Sequence, residues 1–259
     1  MSDPDVLSPP YAALEATGGT GSGGVDLWLL RAADMRAEVL AVEVLDQQEK
    51  DRAAAFMRSG DRARYIAAHV ALRRLLAACT GKPARDLVFM REACPCCGAP
   101  HGRPALSGLS RSLHFSLSHG GDLILIGIAD KPIGVDVEAE PDLEQVADFA
   151  RLMHPAERSE LAETPLAQQV AAFTRLWTRK EAYLKGLGTG LGRDPNADYL
   201  GSTGIAAPPP GWTIDNISAD PGYAAAFAVQ TSAGGTAQHG RPRRLPSTFT
   251  APHPRVHRW

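Results

Sequence analysis

Two carboxylates two residues apart, Asp136 and Glu138, lie in the short segment Gly134-Val-Asp-Val-Glu138. Because successive side chains of a β-strand point to opposite faces, a strand here places both acids on one face and the valines on the other. Two carboxylates whose Cα atoms are about 7 Å apart repel each other, and a cation near them would offset the repulsion. The pattern is typical either of an ordinary solvated strand face or of a site for a hard divalent cation with oxygen ligands.

A third carboxylate and a lysine share one face of the longest helical segment. Glu181 and Lys185 are four residues apart, in the order that favours an ion pair on a helix. The spacing alone indicates a surface ion pair that contributes ~0.2–0.5 kcal/mol. Beside the strand acids, however, Glu181 would complete an oxygen-rich magnesium site, and Lys185 would reach a phosphate bound to the same ion.

A third candidate is the strand that runs into a glycine-rich turn, His114-Phe-Ser-Leu-Ser-His-Gly-Gly121. A hydroxyl, an imidazole and turn N–H groups at a strand end are suited to binding an anion, which we expect of Ser118 and His119. A lone histidine at a turn is more often structural, and that alternative stays open.

Three of the four cysteines lie within four positions, a spacing that does not predict a disulfide framework. Cys94 and Cys97 have the C-x₂-C spacing and are followed by His101, a pattern typical of zinc ligands. The fourth ligand is not apparent from the sequence, and Cys79 and His114 are candidates. The alternative is a tight, reduced loop without metal.

Short strands and helices must position these residues. Strands are predicted by apolar runs and turn residues at 25–30, 113–117, 123–129 and 133–138, and in a closing hairpin at 212–217 and 223–229. Helices are predicted by periodicity at 40–56, at 61–78 with Asp61 as N-cap and Gly81 as stop, and at 166–187, ended by Gly186 and Gly188. The order predicts an α+β fold with antiparallel strands and packed helices.

The composition excludes several classes of protein. A hydrophobic fraction of 44% and a charged fraction of 22% are those of a folded, soluble domain. No apolar run approaches the ~20 residues that span a bilayer, and no secretory signal is visible, so we expect a cytoplasmic protein. The net charge of −2 argues against nucleic acid as a partner. Lysines are scarce compared with arginines, but two of these few, Lys180 and Lys185, are only five residues apart.

In this order and spacing the motifs resemble the 4'-phosphopantetheinyl transferase superfamily, in its larger, pseudodimeric, surfactin-synthetase type. The resemblance is carried by Phe-x-Leu-Ser-His at 115–119, Gly-x-Asp-x-Glu at 134–138 and Trp-x-x-Lys-Glu-Ala-x-x-Lys at 177–185. It implies an enzyme of the holo-[acyl-carrier-protein] synthase type, serving polyketide, nonribosomal peptide or fatty-acid biosynthesis. Such an enzyme moves the phosphopantetheine arm of coenzyme A to a serine of an acyl or peptidyl carrier protein and releases adenosine 3',5'-bisphosphate.

The resemblance also implies roles for single residues. Asp136, Glu138 and Glu181 correspond to magnesium-binding acids, and Glu181 is also the favoured general base toward the carrier serine. Lys185 and His119 correspond to groups that hold the coenzyme A phosphates during catalysis. The other expected coenzyme A contacts are Lys50, Arg52, Arg64, Arg103 of the Gly102-Arg103-Pro104 turn, Ser118, Asp136 and Lys180.

For the whole chain, the resemblance implies a monomer of two similar α+β halves with coenzyme A in a cleft between them. We expect a flexible N-terminal segment at 1–24, an N-terminal half at 25–129 on the 3'-phosphate side, a C-terminal half at 130–230 with the magnesium and catalytic motifs, and a disordered basic tail at 231–259. Two other functions stay open. One is a metal-dependent phosphohydrolase, and the other is a non-catalytic module that binds coenzyme A or a carrier.

Overall fold

The computed structural model describes residues 24–35, 42–109, 112–201, 208–231, 238–239 and 243–244. They belong to two compact units, one within Ala33–Leu87 and the other formed by Ser22–Ala32 and Val88–Arg244. The predicted division after residue 129 falls inside the second unit. Residues 1–23 of the predicted N-terminal segment and most of the predicted tail lie outside the described residues. None of the helices in these ranges is both long and apolar enough to cross a membrane.

Two helices, α1 (Gln47–Ala54) and α2 (Ser59–Thr80), make up most of the first unit. A capping box starts α1: the Asp46 carboxylate accepts the Glu49 N–H at 2.9 Å, and the Glu49 carboxylate accepts the Asp46 N–H at 3.0 Å. The buried guanidinium of Arg73 in α2 donates to both carboxylates at 2.6 Å. One cation therefore fixes the start of α1 to α2.

Three predictions concern the residues at which the helices of this unit begin and end. Gly81 ends α2 in the left-handed conformation at φ 70°, as predicted. The prediction of Asp61 as N-cap is wrong, because α2 begins at Ser59 and Asp61 lies in its first turn. There the Asp61 carboxylate pairs with Arg64 and interacts favourably with the helix dipole. The helix predicted from residue 40 is also shorter than expected, since Val42–Val44 is a separate 3-10 turn.

The second unit is built on two antiparallel sheets. The first has the order β1-β5-β4, from β1 (Gly24–Arg31), β4 (His114–Gly120) and β5 (Leu123–Ala129). The second has the order β6-β8-β7, from β6 (Ile133–Ala139), β7 (Trp212–Ile217) and β8 (Tyr223–Gln230). A separate hairpin pairs β2 (Phe89–Arg91) with β3 (Pro104–Leu106), and the dipeptides β9 (Gln238–His239) and β10 (Arg243–Arg244) pair in parallel with β1.

Each half of the chain repeats the order strand, long helix, hairpin. Helix α2 precedes the β4–β5 hairpin, and α5 (Leu166–Leu187) precedes the β7–β8 hairpin; both helices contain 22 residues. In each sheet the first strand pairs antiparallel with the last strand of the hairpin. Two shorter helices, α3 (Leu143–Ala150) and α4 (Pro155–Glu163), precede α5. The predicted α+β fold with two similar halves is confirmed.

The two faces of β6 have different neighbours. Val135 and Val137 belong to one apolar core that the two sheets share, with side chains such as Leu27, Leu125 and Phe227. The opposite face of the β6-β8-β7 sheet packs on α5 through a second cluster that includes Ala182, Trp212, Ala226 and Ala228. The alternate residues of β6, which include both predicted acids, are therefore directed to the α5 side.

Helix α5 approaches β6 closely because glycines meet at the contact. A Cβ atom on Gly134 would overlap the Ala182 carbonyl and the Gly186 nitrogen, and one on Gly186 would come within 2.6 Å of the Trp212 ring. Gly186 is therefore an interior residue of α5, and the prediction that it ends the helix is wrong. The helix ends at Gly188, which has a φ of 81° and is left-handed.

A buried ion pair joins α5 to α4. Lys180 and Glu157 have side chains only 2% and 0% exposed, and their Nζ and Oε2 atoms are 3.0 Å apart. The ammonium also donates to the Asp198 carbonyl at 2.8 Å, and the Glu157 carboxylate accepts the Leu200 N–H at 2.8 Å. Because each buried charge depends on the other, the pair fixes α4, α5 and the 198–200 segment relative to one another.

We predict that Lys180→Met lowers the free energy of unfolding by about 3–5 kcal/mol, since it leaves the Glu157 carboxylate buried without its cation. Urea denaturation followed by circular dichroism measures the change. Lys131→Met, at an exposed lysine, is the control and should change stability by less than about 0.5 kcal/mol. Equal effects of the two substitutions would contradict the structural importance of this pair.

Candidate active site

Asp136 is the centre of the candidate site. Its side chain is 1% exposed, and its Oδ1 atom accepts hydrogen bonds from Lys185 Nζ at 2.7 Å and from Ser118 Oγ at 2.8 Å. Lys185 Nζ also donates to Ser118 Oγ at 3.0 Å. The second oxygen, Oδ2, is buried and has no hydrogen-bond partner within the described part of the chain. A buried carboxylate with one unpaired oxygen is costly unless a further ligand satisfies it.

Strand β4 supports the acid-bearing strand through side chains. Ser116 Oγ accepts the Val135 N–H at 3.1 Å, and Ser118 bonds Asp136. Further along, Gly120 lies against the backbone of β6, where a Cβ atom would come within 2.8 Å of the Glu138 Cα. The alternation Ser-x-Ser-x-Gly in β4 could have indicated this contact from the sequence, because it places all three residues on one strand face.

Burial shifts two acids of the cluster, Glu138 and Glu181, toward their neutral forms. Burial raises the pKa of Glu138 to about 7, with the Asp136 and Glu181 charges adding to the increase and Lys185 opposing it. Burial also raises the pKa of Glu181, where Lys185 opposes and Asp136 adds to the shift. The three acids and Lys185 therefore form one electrostatic cluster, in which a single cation faces three carboxylates.

The donor set fits a hard divalent cation. Asp136 Oδ2 is a buried oxygen without a hydrogen-bond partner in the described part of the chain. The carboxylates of Glu138 and Glu181 are close enough to interact with Asp136 electrostatically. Within the described residues, the oxygens of these three acids do not all come within 4.8 Å of one another. Mg²⁺ uses few protein oxygens and takes its remaining ligands from water and substrate phosphate, so an open set of acids is compatible with it.

Two predicted site residues are not in this cluster. The Lys180 ammonium is buried against Glu157 and the Asp198 carbonyl, on a different face of α5 from Glu181 and Lys185. His119 is exposed, and strand alternation turns it to the face opposite Ser118.

Three predicted phosphate ligands lie in the first unit. The Arg52 guanidinium lies over the Phe56 ring at 5.5 Å from its centroid. Arg64 pairs with Asp61 at 3.3 Å, and Lys50 is half-buried in α1. Their predicted role toward coenzyme A stays a prediction.

Arg103 lies in the second unit. It pairs with Glu92 and donates to the Gly186 and Leu187 carbonyls at the end of α5. Sequence reasoning missed these partners, because they are 83 and 84 residues distant along the chain.

The cysteine-rich segment folds as a tight turn beyond the β2–β3 hairpin. The ligand atoms of Cys94, Cys97 and His101 all lie within 4.8 Å of one another, and Cys97 Sγ is 3.0 Å from His101 Nε2. Backbone N–H groups of Cys96 and Cys97 donate to the Cys94 sulfur and lower the pKa of its thiol. The predicted fourth ligand His114 lies outside this group and bonds Ser112 instead, and Cys79 belongs to α2 of the other unit.

Comparison with known proteins decides the family. A family model described as 4'-phosphopantetheinyl transferase superfamily matches residues 132–227, and one described as 4'-phosphopantetheinyl transferase, N-terminal, matches residues 33–131. The chain is also 30% identical to the 4'-phosphopantetheinyl transferase HetI of Nostoc sp. over 200 residues, which are 71% of this chain and 78% of HetI. The chain belongs to the 4'-phosphopantetheinyl transferase superfamily. The resemblance predicted from its motifs, including the larger two-part type, is confirmed.

Other members of the superfamily match shorter segments. The 4'-phosphopantetheinyl transferase psf-1 of Bacillus pumilus is 29% identical over 131 residues, 51% of this chain and 52% of that protein. A 4'-phosphopantetheinyl transferase of Bacillus subtilis is 36% identical over 92 residues, 35% of this chain and 40% of that protein. The chain thus spans about half the length, or less, of these curated relatives.

The raised pKa of Glu138 predicts a fall in stability with rising pH. The unfolded glutamate loses its proton near 4.5, whereas the folded one keeps it until about 7, so the folded state binds more protons in this window and its stability falls as pH rises. The slope is at most ~1.4 kcal/mol per pH unit. Urea unfolding between pH 5 and 7.5 in the presence of a chelator measures it.

Glu138→Gln should flatten this slope, because the amide does not titrate. Glu144→Gln, at an exposed acid of α3, is the matched control and should leave the slope unchanged. A slope that stays the same in Glu138→Gln would contradict the assignment.

Proposed function

We propose that this protein moves the phosphopantetheine arm of coenzyme A to a serine hydroxyl of an acyl or peptidyl carrier protein. The serine oxygen forms a new bond to the phosphorus next to the pantetheine arm. The bond from that phosphorus to the departing nucleotide breaks, and adenosine 3',5'-bisphosphate leaves. A holo-[acyl-carrier-protein] synthase role is the finer form of this proposal. The family membership supports the transferase, and no observation favours the phosphohydrolase or the non-catalytic module.

The observation that carries the proposal is the state of Asp136. Its Oδ1 is held by Lys185 and Ser118 while its Oδ2 is buried without a partner. A carboxylate oriented in this way, with Glu138 and Glu181 in the same field, is suited to hold a cation against a pyrophosphate. We propose Asp136, Glu138 and Glu181 as the ligands of Mg²⁺. When bound, the ion would neutralise negative charge on the phosphate oxygens.

The other roles follow from the chain's own groups. Lys185 is half-buried, and its ammonium can donate to a phosphate oxygen beside Asp136. Burial raises the pKa of Glu181, which makes its carboxylate a stronger acceptor for the proton of the carrier serine. Ser118 holds both Asp136 and Lys185 in place. His119 is proposed as a further phosphate contact from the exposed end of β4.

The remaining assignments are extensions of the same proposal. We propose that the N-terminal half, 25–129, contributes the cations for the 3'-phosphate, among them Lys50, Arg52 and Arg64, and that 130–230 carries the chemistry. The protein would act as a cytoplasmic monomer with coenzyme A and a carrier as partners, and without nucleic acid. The position of Lys180 supports a structural role for it in place of coenzyme A binding.

We further propose that Cys94, Cys97 and His101 bind a structural zinc ion. The proposal is supported by their distances and by the two N–H groups that stabilise Cys94 as a thiolate, the form that binds metal. Gly98, with a φ of 77°, closes the turn between the thiols and the histidine. Three protein ligands leave one position for water or another group.

The transferase proposal predicts a mass gain. Incubation with coenzyme A, Mg²⁺ and an apo carrier protein should add about 340 Da to the carrier, measured by intact-protein mass spectrometry. Asp136→Asn keeps the shape but removes the charge, and should lower the rate by about a thousandfold or more. Asp130→Asn, at an exposed turn acid, should transfer normally. Release of adenosine 3',5'-bisphosphate without any carrier would instead indicate a phosphohydrolase.

The zinc proposal predicts one equivalent of zinc in freshly purified protein, measured by inductively coupled plasma mass spectrometry. Cys97→Ser should remove the metal, since it deletes one of three ligands. Cys79→Ser, a thiol of the first unit, should retain it. Zinc-free wild-type protein would refute the proposal.

A further inference from the structure

Glu92 directly follows β2 and Arg103 directly precedes β3, and they join the two ends of the cysteine-rich segment between these strands. Their backbones pair, with the Glu92 N–H donating to the Arg103 carbonyl at 2.9 Å, and the Gly102 N–H donating to the Glu92 carbonyl at 2.9 Å. Their side chains pair as well: Arg103 Nε and Nη2 both bond Glu92 Oε2, at 2.9 and 2.7 Å. The guanidinium plane is thereby fixed in direction. Cys94 and His101 lie two residues further in on each side, and their N–H groups both donate to the Ala99 carbonyl at 2.8 Å.

From this position Arg103 reaches the end of α5. Its Nη1 donates to the Gly186 carbonyl at 2.9 Å and to the Leu187 carbonyl at 3.2 Å. The last four carbonyls of a helix lack partners within the helix. In α5 the other two, of Leu184 and Lys185, accept the N–H groups of Gly188 and Thr189, so Arg103 supplies the donors for the remaining pair. Its positive charge is also favourable at a helix C-terminus.

The Arg103 side chain packs so closely on Gly188 that a side chain has no space there. A Cβ atom there would come within 2.9 Å of Arg103 Cγ. The turn that Arg103 holds directly follows Lys185, the residue whose ammonium bonds Asp136 at 2.7 Å.

We infer that Arg103 is a positioning residue, which holds the last turn of α5 so that Lys185 stays against Asp136. The inference rests on the proposed transferase function for its kinetic consequence. The C-terminal turn of a helix frays readily, and a displacement of about 1 Å at a reacting group can cost about a hundredfold in rate. Arg103 and Glu92 together prevent this displacement.

This role differs from that of a 3'-phosphate ligand, which the resemblance predicts for Arg103. A ligand needs N–H groups directed at the phosphate, whereas the four hydrogen bonds and ion-pair contacts of this guanidinium go to Glu92 and to two main-chain carbonyls. The two roles give opposite kinetic results. Loss of a phosphate ligand raises KM for coenzyme A, whereas loss of a positioning group lowers kcat.

The kinetic experiment compares coenzyme A with 3'-dephospho-coenzyme A as substrates for wild type, Arg103→Ala and Glu92→Ala. We expect kcat to fall by about 10- to 100-fold in both variants, by the same factor with either substrate, while KM changes by less than about threefold. Arg85→Ala, at an exposed arginine of the first unit, is the control and should match wild type. A rise in KM that occurs with coenzyme A but not with the dephospho form would overturn the inference and assign Arg103 to the phosphate.

A second measurement does not depend on activity. Hydrogen–deuterium exchange of the apo protein should show the Gly188 and Thr189 amides exchanging about tenfold faster in Arg103→Ala and in Glu92→Ala, with the β7–β8 amides unchanged as the internal reference. Unchanged exchange at these two amides would overturn the inference. If wild type transfers nothing to any carrier, the proposed function fails, and the exchange result alone still decides whether Arg103 holds α5.

Discussion

The packing of α5 against β6 in the second unit depends on the hydrogen-bonded ion pair between Lys185 and Asp136. A carboxylate that is 1% exposed is costly to bury without polar partners, and Asp136 has the Lys185 ammonium and the Ser118 hydroxyl against it. The cation comes from α5, so the helix must lie close to β6, and this distance is possible only because Gly134 and Gly186 have no side chains at the contact. The large apolar cluster that the two sheets share also holds β6 in place, and so fixes the surface on which α5 packs.

Local patterns were enough to predict β1, the strands β4 to β8 and the shared face of Glu181 and Lys185 on α5. The alternation in β6 separated Asp136 and Glu138 from the valines because a strand face depends only on parity. Partners distant in the chain were not predictable. Nothing near Arg103 indicates that its donors would satisfy the end of a helix 83 residues away, and nothing near Asp61 shows that the first turn of α2 starts two residues earlier. The partners of Arg103 and the start of α2 depend on tertiary packing, and the spacing of neighbouring residues in one sequence does not reveal it.

The two lysines of the Trp-x-x-Lys-Glu-Ala-x-x-Lys motif illustrate the same limit. They are five residues apart, about 140° around a helix, so they leave α5 in different directions. Lys185 faces Asp136, while Lys180 is enclosed by Glu157 and a main-chain carbonyl. The motif thus contains one lysine that bonds the buried Asp136 and one that anchors the helix carrying both. Residue type alone would assign both to the ligand.

The repeated strand–helix–hairpin order has a consequence for stoichiometry. Strand β1 occupies in its sheet the place that β6 has in the other, and the core-facing residues Val25, Leu27 and Leu29 correspond to Ile133, Val135 and Val137. By this register, Trp28 and Leu30 stand where β6 has Asp136 and Glu138. The acid pair of β6 is not repeated in β1, where bulky apolar groups occupy the equivalent positions. Of the two equivalent strands, β6 therefore supplies this pair of acids and β1 does not.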